Sequence, residues 1–496
     1  MMVTLLKNGK FLNLKEENWI QGDILIKDGK IADMGNIDTC NLEINETIDV
    51  SNKLIIPGLI NAHVHTYAGF LKGTIDSVPL DIYMLLAMAG GSFRSPREIY
   101  VSTMIDAIQM LKTGTTSAID HFSQRPIQAI EGIDAAAQAF IDVGMRATIA
   151  PMYSDLSFFE TVPLEIGELP QELKGKAKGP IQTPKEYAEL CREAIEKWHG
   201  KDGLIRIMLG TDGPQRCSRE LLDFTKGLEE QYKIGWHTHV LEAKTQAIMS
   251  HRLYGKGLIE YMDELGLINE RTSLVHFIWV SEKEIDIVKD RGANVVHCPS
   301  TALHLGSGIT PVDQFIQKGL NVAIGTDGGN CGNLSMFEKI RLAALLHKVG
   351  QPNYDHWITA IDALKMNLNN GARAMMQRDE IGSIQVGKEA DLAILDTTSM
   401  LWQPINNITH QLVYGESGSS VEMVFVKGKK VIENGKAVFV NEEDIISEAR
   451  EAVERLQWDN KEAFELARRQ MPYLKKMYLR TVKEDVGFNR FTRPLL

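Results

Sequence analysis

Leu54-Ile55-Ile56-Pro57-Gly58-Leu59-Ile60-Asn61-Ala62-His63-Val64-His65 is an apolar run that ends in two histidines two residues apart. In an extended strand, alternate side chains share a face, so both imidazoles aim at one point. Neutral imidazole is a common ligand for zinc and related ions, which makes His63 and His65 a candidate half-site at a strand end. Two polar residues closing a strand would give the same pattern. The rest of the chain has to supply further ligands.

Working outward from 54–65, further short β-branched apolar runs occur at 115–121, 146–152, 204–211, 234–240, 273–280, 294–298 and 321–326. Amphipathic stretches at 96–112, 128–142, 184–199 and 282–291 lie between them. This alternation is the rhythm of βα units, and eight such units predict a closed (β/α)8 barrel. An open doubly wound sheet is the alternative, but no G-x-G-x-x-G follows the first strand. The ends of the chain have another texture. Asn8-Gly9, Asp28-Gly29 and Asn434-Gly435 are hairpin signals near short apolar runs at 22–26, 390–395 and 421–427. The expected organisation is an α/β protein. A small composite β-sandwich comes from residues 1–56 plus 380–440, the barrel spans 57–379, and a C-terminal helical extension covers 441–496. In the extension, apolar residues recur at helical spacing from Glu442 to about Met471.

Bulk properties narrow the function. The chain has 496 residues and a net charge of −11, and it shows no basic stripe, which argues against a nucleic-acid surface. Lys174, Lys176 and Lys178 form one small cluster, read as a solvated loop. Cys40, Cys191, Cys217, Cys298 and Cys331 are scattered and odd in number, which suits a reducing compartment rather than a disulfide framework or a thiolate zinc site. No secretory pattern opens the chain and no apolar run reaches membrane-spanning length. The expectation is a cytoplasmic protein acting on a small molecule, with no nucleic-acid or membrane partner.

The chemistry-bearing residues fall at strand ends. His239 closes the run 234–240, with His237 two residues earlier and Glu242 three residues later. His276 and Asp327 close the runs at 273 and 321. In a closed barrel these ends face one mouth, so residues distant in sequence surround one ion. Singly, His276 reads as a core histidine, Asp327 as a turn former and Glu242 as a helix cap. Their shared placement favours a metal site. His121 ends the second run and either lines the mouth or makes a structural hydrogen bond. Long connections at 66–94 and 153–183 leave the same barrel face and are candidate lids or pocket walls, with Tyr67, Phe70, Tyr83 and Met84 available for an apolar slot.

Pro57-Gly58-Leu59-Ile60-Asn61-Ala62-His63-Val64-His65, His239-Val240-Leu241-Glu242, Val275-His276, His297-Cys298-Pro299 and Gly325-Thr326-Asp327-Gly328 together resemble the amidohydrolase superfamily. The resemblance is to the branch of s-triazine chlorohydrolases, cytosine and guanine deaminases, and adenosyl-homocysteine/methylthioadenosine deaminases, and it runs from about Val3 to Asn434. It implies a (β/α)8 barrel, a composite β-sandwich and one divalent metal ion, with oligomers common. Carried over residue by residue, it implies His63, His65, His239 and Asp327 as metal ligands, with His276 close to the attacking water. The family pattern places the ligand three residues before the acid, which selects His239 over His237. No Lys lies in the run 204–211, which favours one ion over two.

Nitrogen and oxygen ligands without sulfur suit Zn²⁺, with Fe²⁺ or Mn²⁺ as alternatives. Such an ion lowers the pKa of water to ~7. Asp327 then takes the water proton, His276 orients the nucleophile or holds developing charge, and Glu242 protonates a ring nitrogen. That set predicts hydrolytic deamination of a planar N-heterocycle of purine, pyrimidine, pterin or triazine type, with release of ammonia. Hydrolysis of another C–N or C–halogen bond, on a related ring or guanidine-type compound, is the alternative. A non-catalytic binding or assembly protein is the remote one, disfavoured because all the ligands are kept. The chain departs from nucleoside deaminases in three loops. Gly210-Thr211-Asp212-Gly213-Pro214-Gln215-Arg216-Cys217-Ser218 stands where a His and a Pro-Tyr pair are typical. Ser300-Thr301-Ala302-Leu303-His304 replaces a Ser-Asn pair, and the stretch 327–333 is also atypical. These differences count against adenosyl-homocysteine or methylthioadenosine as substrate. They leave Asp212, Gln215 or Arg216 to face the substrate, with His121 and His304 as further candidate substrate contacts.

Overall fold

The run 54–65 divides at Gly58. Lys53–Pro57 pairs in one sheet and Leu59–Val64 in another. A Cβ on Gly58 would stand 2.1 Å from Thr116 Oγ1, so glycine lets the chain cross between sheets here. The computed structural model describes residues 2–175 and 182–493. The side chains of the 174–178 lysine cluster lie outside the described residues.

The second of these sheets is the barrel. Leu59–Val64, Thr115–Phe122, Arg146–Tyr153, Leu209–Thr211, Trp236–Val240, Thr272–His276, Asn294–His297 and Asn321–Ile324 pair in parallel, each with the next. The fourth run does not form one strand: Ile205–Ile207 and Leu209–Thr211 separate at Met208. The ring is drawn shut between the eighth and first strands. The Thr326 and Asp327 N–H groups donate to the His63 carbonyl at 3.1 and 3.0 Å. Thr326 N–H also donates to Asn61 Oδ1 at 3.0 Å, and Asn61 Nδ2 donates to Thr326 Oγ1 at 2.7 Å. Gly325 makes the seam tight, since a Cβ there would lie 2.8 Å from that of His63.

The outer helices begin where the sequence supplies caps. Pro96–Lys112, Pro184–Trp198 and Glu282–Arg291 each start behind a reciprocal capping box, formed by Ser95 with Glu98, Thr183 with Glu186 and Ser281 with Glu284. Their apolar faces join the strand residues in one extended core that includes Met104, Leu111, Ala194, Ile195 and Ile285.

The other sheet takes strands from both ends of the chain, in the order Lys436–Ala437, Lys429–Glu433, Val421–Val426, Leu392–Asp396, Lys53–Pro57, Val3–Asn13, Asn18–Lys27, Lys30–Gly35, with Glu46–Asp49 beside Val3–Asn13. It is mostly antiparallel and curls around Leu6, Phe11, Ile24, Ile55, Leu392 and Phe425. Asp28-Gly29 and Asn434-Gly435 make the expected hairpin turns. Asn8-Gly9 does not. Asn8 takes φ 66° and makes a bulge inside Val3–Asn13, and the chain reverses later, between Asn13 and Asn18. The tail forms two helices, Glu442–Asp459 and Lys461–Thr481. The second runs past Met471 and packs Ala467, Leu474 and Met477 on helix Leu80–Gly90, which belongs to the first long connection. No helix among the described residues is long and apolar enough to cross a membrane.

Candidate metal centre and active site

Three strand ends, of the first, fifth and eighth strands, bring four side chains to one point. His65 Nε2 lies 3.2 Å from His239 Nε2 and 3.4 Å from Asp327 Oδ1, and His63 Nε2 lies 3.7 Å from the same oxygen. Two ligands on a tetrahedral ion, each about 2.0–2.1 Å from it, stand about 3.4 Å apart. The cluster therefore has the spacing of a coordination shell.

Hydrogen bonds turn the rings the right way. His65 Nδ1–H donates to the His121 carbonyl at 2.7 Å, and His239 Nδ1–H to the Asp212 carbonyl at 2.6 Å. Each Nε2 then carries its lone pair toward the centre. His63 Nδ1 and His237 Nε2 share a bond of 2.8 Å, and His237 Nδ1 reaches Ser273 Oγ at 3.1 Å. His63 Nε2 is left buried without a partner. A buried polar atom with no partner is costly, and a metal ion would satisfy it. The residues present fit a divalent cation.

Two carboxylates and a further imidazole complete the site. His276 Nε2 is 3.5 Å from Glu242 Oε2 and 3.9 Å from Asp327 Oδ2. Glu242 Oε1 has no partner. Burial, and then the negative charge of Asp327, push the Glu242 carboxyl well above the usual range. Burial also lowers His276 to about 3 and holds His63, His121 and His237 well below the ordinary imidazole value, so these rings are neutral. Leu241, His276 and Asp327 take φ of 50°, 72° and 62° as the chain leaves the fifth, sixth and eighth strands. Each costs roughly 1–3 kcal/mol, a strain that clusters at functional sites.

A chamber of about 40 Å³ opens beside this cluster, walled by Tyr67, Leu80, Tyr83, Met84, Met152, Asp212, Arg216, Gln246 and Leu305 as well as the site residues. A cavity of about 760 Å³ near Asn321, Arg373 and Lys388 is larger but contains none of the cluster, so size does not choose the site. Tyr67, Tyr83 and Met84 reach the chamber from the first long connection. Gln215 and His304 are not among the lining residues; each keeps an unpartnered buried atom, Oε1 and Nε2. Of the alternatives at 212, 215 and 216, Asp212 and Arg216 line the chamber, and Leu305 lines it next to His304. Arg216 Nη1 donates to Asp212 Oδ2 at 2.7 Å, and its guanidinium lies over the Phe158 ring at 5.3 Å. The support of His63 by His237 and Ser273 was legible only from strand register, in which those two residues pair.

Residues 54–431 match the Amidohydrolase family. The chain belongs to this family. It is 32% identical to the 5-methylthioadenosine/S-adenosylhomocysteine deaminase of Thermoanaerobacter pseudethanolicus, over 90% of this amidohydrolase and 97% of the relative. It is 31% identical to the 5'-deoxyadenosine deaminase of Methanothermobacter thermautotrophicus, over 88% and 95%. Among solved structures, an adenosine deaminase from Xanthomonas campestris with bound zinc superposes with a TM-score of 0.81 at 25% identity, covering 92% of this chain and 98% of that one. The amidohydrolase described here thus shares barrel, family and length with deaminases of adenosine-type purines.

Proposed function

We propose that this amidohydrolase removes the 6-amino group of an adenosine-type purine by hydrolysis, giving the 6-oxo purine and ammonia. One observation carries the reading. A shell of three imidazoles and a carboxylate with metal-ligand spacing stands beside a buried carboxyl, Glu242, whose hold on its proton is strengthened by burial and by the charge of Asp327. In our assignment His63, His65, His239 and Asp327 hold one divalent ion, zinc by its donor set. When bound, such an ion lowers the pKa of water to ~7 and so supplies a nucleophile near neutrality.

The chain's own groups do the rest. Glu242 donates a proton from Oε1 to the ring nitrogen next to the amino-bearing carbon, which makes that carbon electrophilic. Asp327 accepts the proton of the attacking water at Oδ2, the oxygen that faces His276. Neutral His276 orients that water through Nε2. The proton held by Asp327 then passes to the amino group, which leaves as ammonia as the C–N bond breaks; the hydroxyl on the carbon gives its proton back to Glu242, so a C=O bond remains and the ring nitrogen keeps the proton it received. Leu80, Tyr83, Met84 and Leu305 keep bulk water from the reacting carbon.

The loop departures at 210–218 and 300–304 counted against methylthioadenosine and adenosyl-homocysteine. The relatives named above restore the adenosine ring as the leading candidate, and leave the departures to act on the substituent the ring carries. The test is ammonia release from adenosine, 5'-deoxyadenosine, methylthioadenosine and adenosyl-homocysteine, set against guanine, cytosine, a pterin, and amino- and chloro-triazines. Release confined to the 6-aminopurines is expected; halide or alkylamine release without ammonia overturns the reading. Glu242→Gln is expected to cut turnover by at least about 10²-fold while leaving the metal content unchanged.

A further inference from the structure

Gln246 lies in the first turn of helix Lys244–Tyr254 and lines the chamber together with Glu242. As in a capping box, its side chain reaches back over the start of the helix. Its Oε1 accepts from the Glu242 N–H at 2.6 Å and from the Ala243 N–H at 3.3 Å. Leu241, just before, holds φ 50°, so this one carboxamide ties down the strained turn that delivers Glu242. Two backbone donors also fix which end of the carboxamide is oxygen. The planar amide then turns Nε2 away from the backbone, and among the described residues Nε2 donates to no protein acceptor. Two donor hydrogens on a buried side chain are thus left for whatever fills the chamber.

We propose that Gln246 sets the choice of ring: its Nε2 donates to an acceptor on the ring edge that Glu242 protonates, and so selects purines that carry no amino group at C2. The inference rests on the deamination reading above. Gln246 and Glu242 enter the chamber from one short stretch of chain, so both meet the same edge of a planar ring. Glu242 serves the nitrogen next to the amino-bearing carbon. On a 6-aminopurine the same edge offers N3, two atoms further on, as an acceptor. A 2-amino group sits between these nitrogens and presents N–H donors of its own. Donor facing donor leaves both unpaired in a buried site, which is how a polar pocket rejects a close analogue.

The test compares kcat/KM for a 6-aminopurine nucleoside that the wild type accepts and for its 2-amino derivative, in the wild type, Gln246→Glu and Gln246→Met. Both variants are first checked for wild-type zinc content. Gln246→Glu keeps an oxygen for the Glu242 N–H and turns an acceptor toward the chamber in place of the donor. The two substrates are compared within each protein, so any change in the power of Glu242 that is common to both cancels. The wild type is expected to favour the unsubstituted ring by at least about 10-fold, and Gln246→Glu to shift that ratio at least about 10-fold toward the 2-amino ring. Gln246→Met removes the donor without adding an acceptor and is expected to lose most of the preference, which decides the matter if the Glu variant fails to fold. A ratio within about 2-fold of the wild type in a folded variant overturns the proposal. So does a wild type that turns over the 2-amino ring as readily as the unsubstituted one, the reading that decides if neither variant folds. A wild type that releases ammonia from no 6-aminopurine overturns the deamination reading itself, an outcome distinct from an unchanged ratio in an active enzyme.

Discussion

His237 and His239 sit two residues apart on one strand and point to the same side, yet their surroundings give them different work. His239 stands at the rim, with its Nε2 among the ligand atoms and its Nδ1 tied to the Asp212 carbonyl. His237 lies deeper, fully buried between His63 and Ser273. In our assignment His239→Ala removes a ligand and His237→Ala removes only the group that orients one. The first is expected to abolish stoichiometric zinc uptake. The second is expected to weaken zinc about 10- to 100-fold, read by chelator competition. Equal effects would contradict the assignment. The sequence offered both histidines; the resemblance to the family, which places the ligand three residues before the acid, selected His239, and the depth of each ring in the barrel separates them physically.

Among the elements, helix Leu80–Gly90 links the chamber wall to the tail of the chain. About 40 Å³ has room for a few water molecules, whereas small-molecule pockets run about 300–1,000 Å³. Leu80, Tyr83 and Met84 of helix Leu80–Gly90 form part of its wall. That helix is held from behind by the C-terminal helix Lys461–Thr481 through Ile82, Leu85, Leu474 and Met477. The same C-terminal helix fastens the second long connection: Gln470 Nε2 donates to the Leu173 carbonyl at 3.1 Å, and Arg480 Nη1 pairs with Glu168 at 2.7 Å. Leu474 is fully buried, so Leu474→Ala is expected to cost about 2–5 kcal/mol locally. The expected signature is faster proteolysis within 66–94 with zinc content unchanged. Uniform destabilisation, with no preferential cleavage there, would show that the helix does not secure the chamber wall. The tail's helical periodicity was legible in its apolar spacing. What it packs against was not, because an amphipathic face specifies that something apolar covers it without naming the partner.

At the scale of the molecule, barrel and second sheet are locked by a buried ion pair. Arg146 opens the third barrel strand, and its Nε and Nη2 donate to Asp391 at 2.9 and 3.3 Å, just before strand Leu392–Asp396. Both residues are buried. Arg146→Ala strands a carboxylate away from water and is expected to cost about 3–5 kcal/mol, seen as a lower denaturant midpoint. A loss below about 1 kcal/mol would mean the pair is solvated and the two sheets are held by apolar contact alone. The barrel's eight-fold rhythm was legible because each strand is a short β-branched run. The expected boundary at 56/57 lies beside Gly58, but the reason for a crossing there was not legible, since the clash with Thr116 that divides 54–65 comes from another strand.

The residues by themselves determined the barrel and the placement of His63, His65, His239, His276 and Asp327 at or just past strand ends, because periodicity and alternate-residue spacing are local properties of the chain. The tertiary structure alone decided how His65 and His239 are turned, the raised proton affinity of Glu242, the bulge at Asn8, the choice of Asp212 and Arg216 over Gln215 at the chamber wall, and the ring of His121 left without a partner. Each of those depends on groups far apart in sequence and on the exclusion of water, and neither exists until the ring of strands has closed.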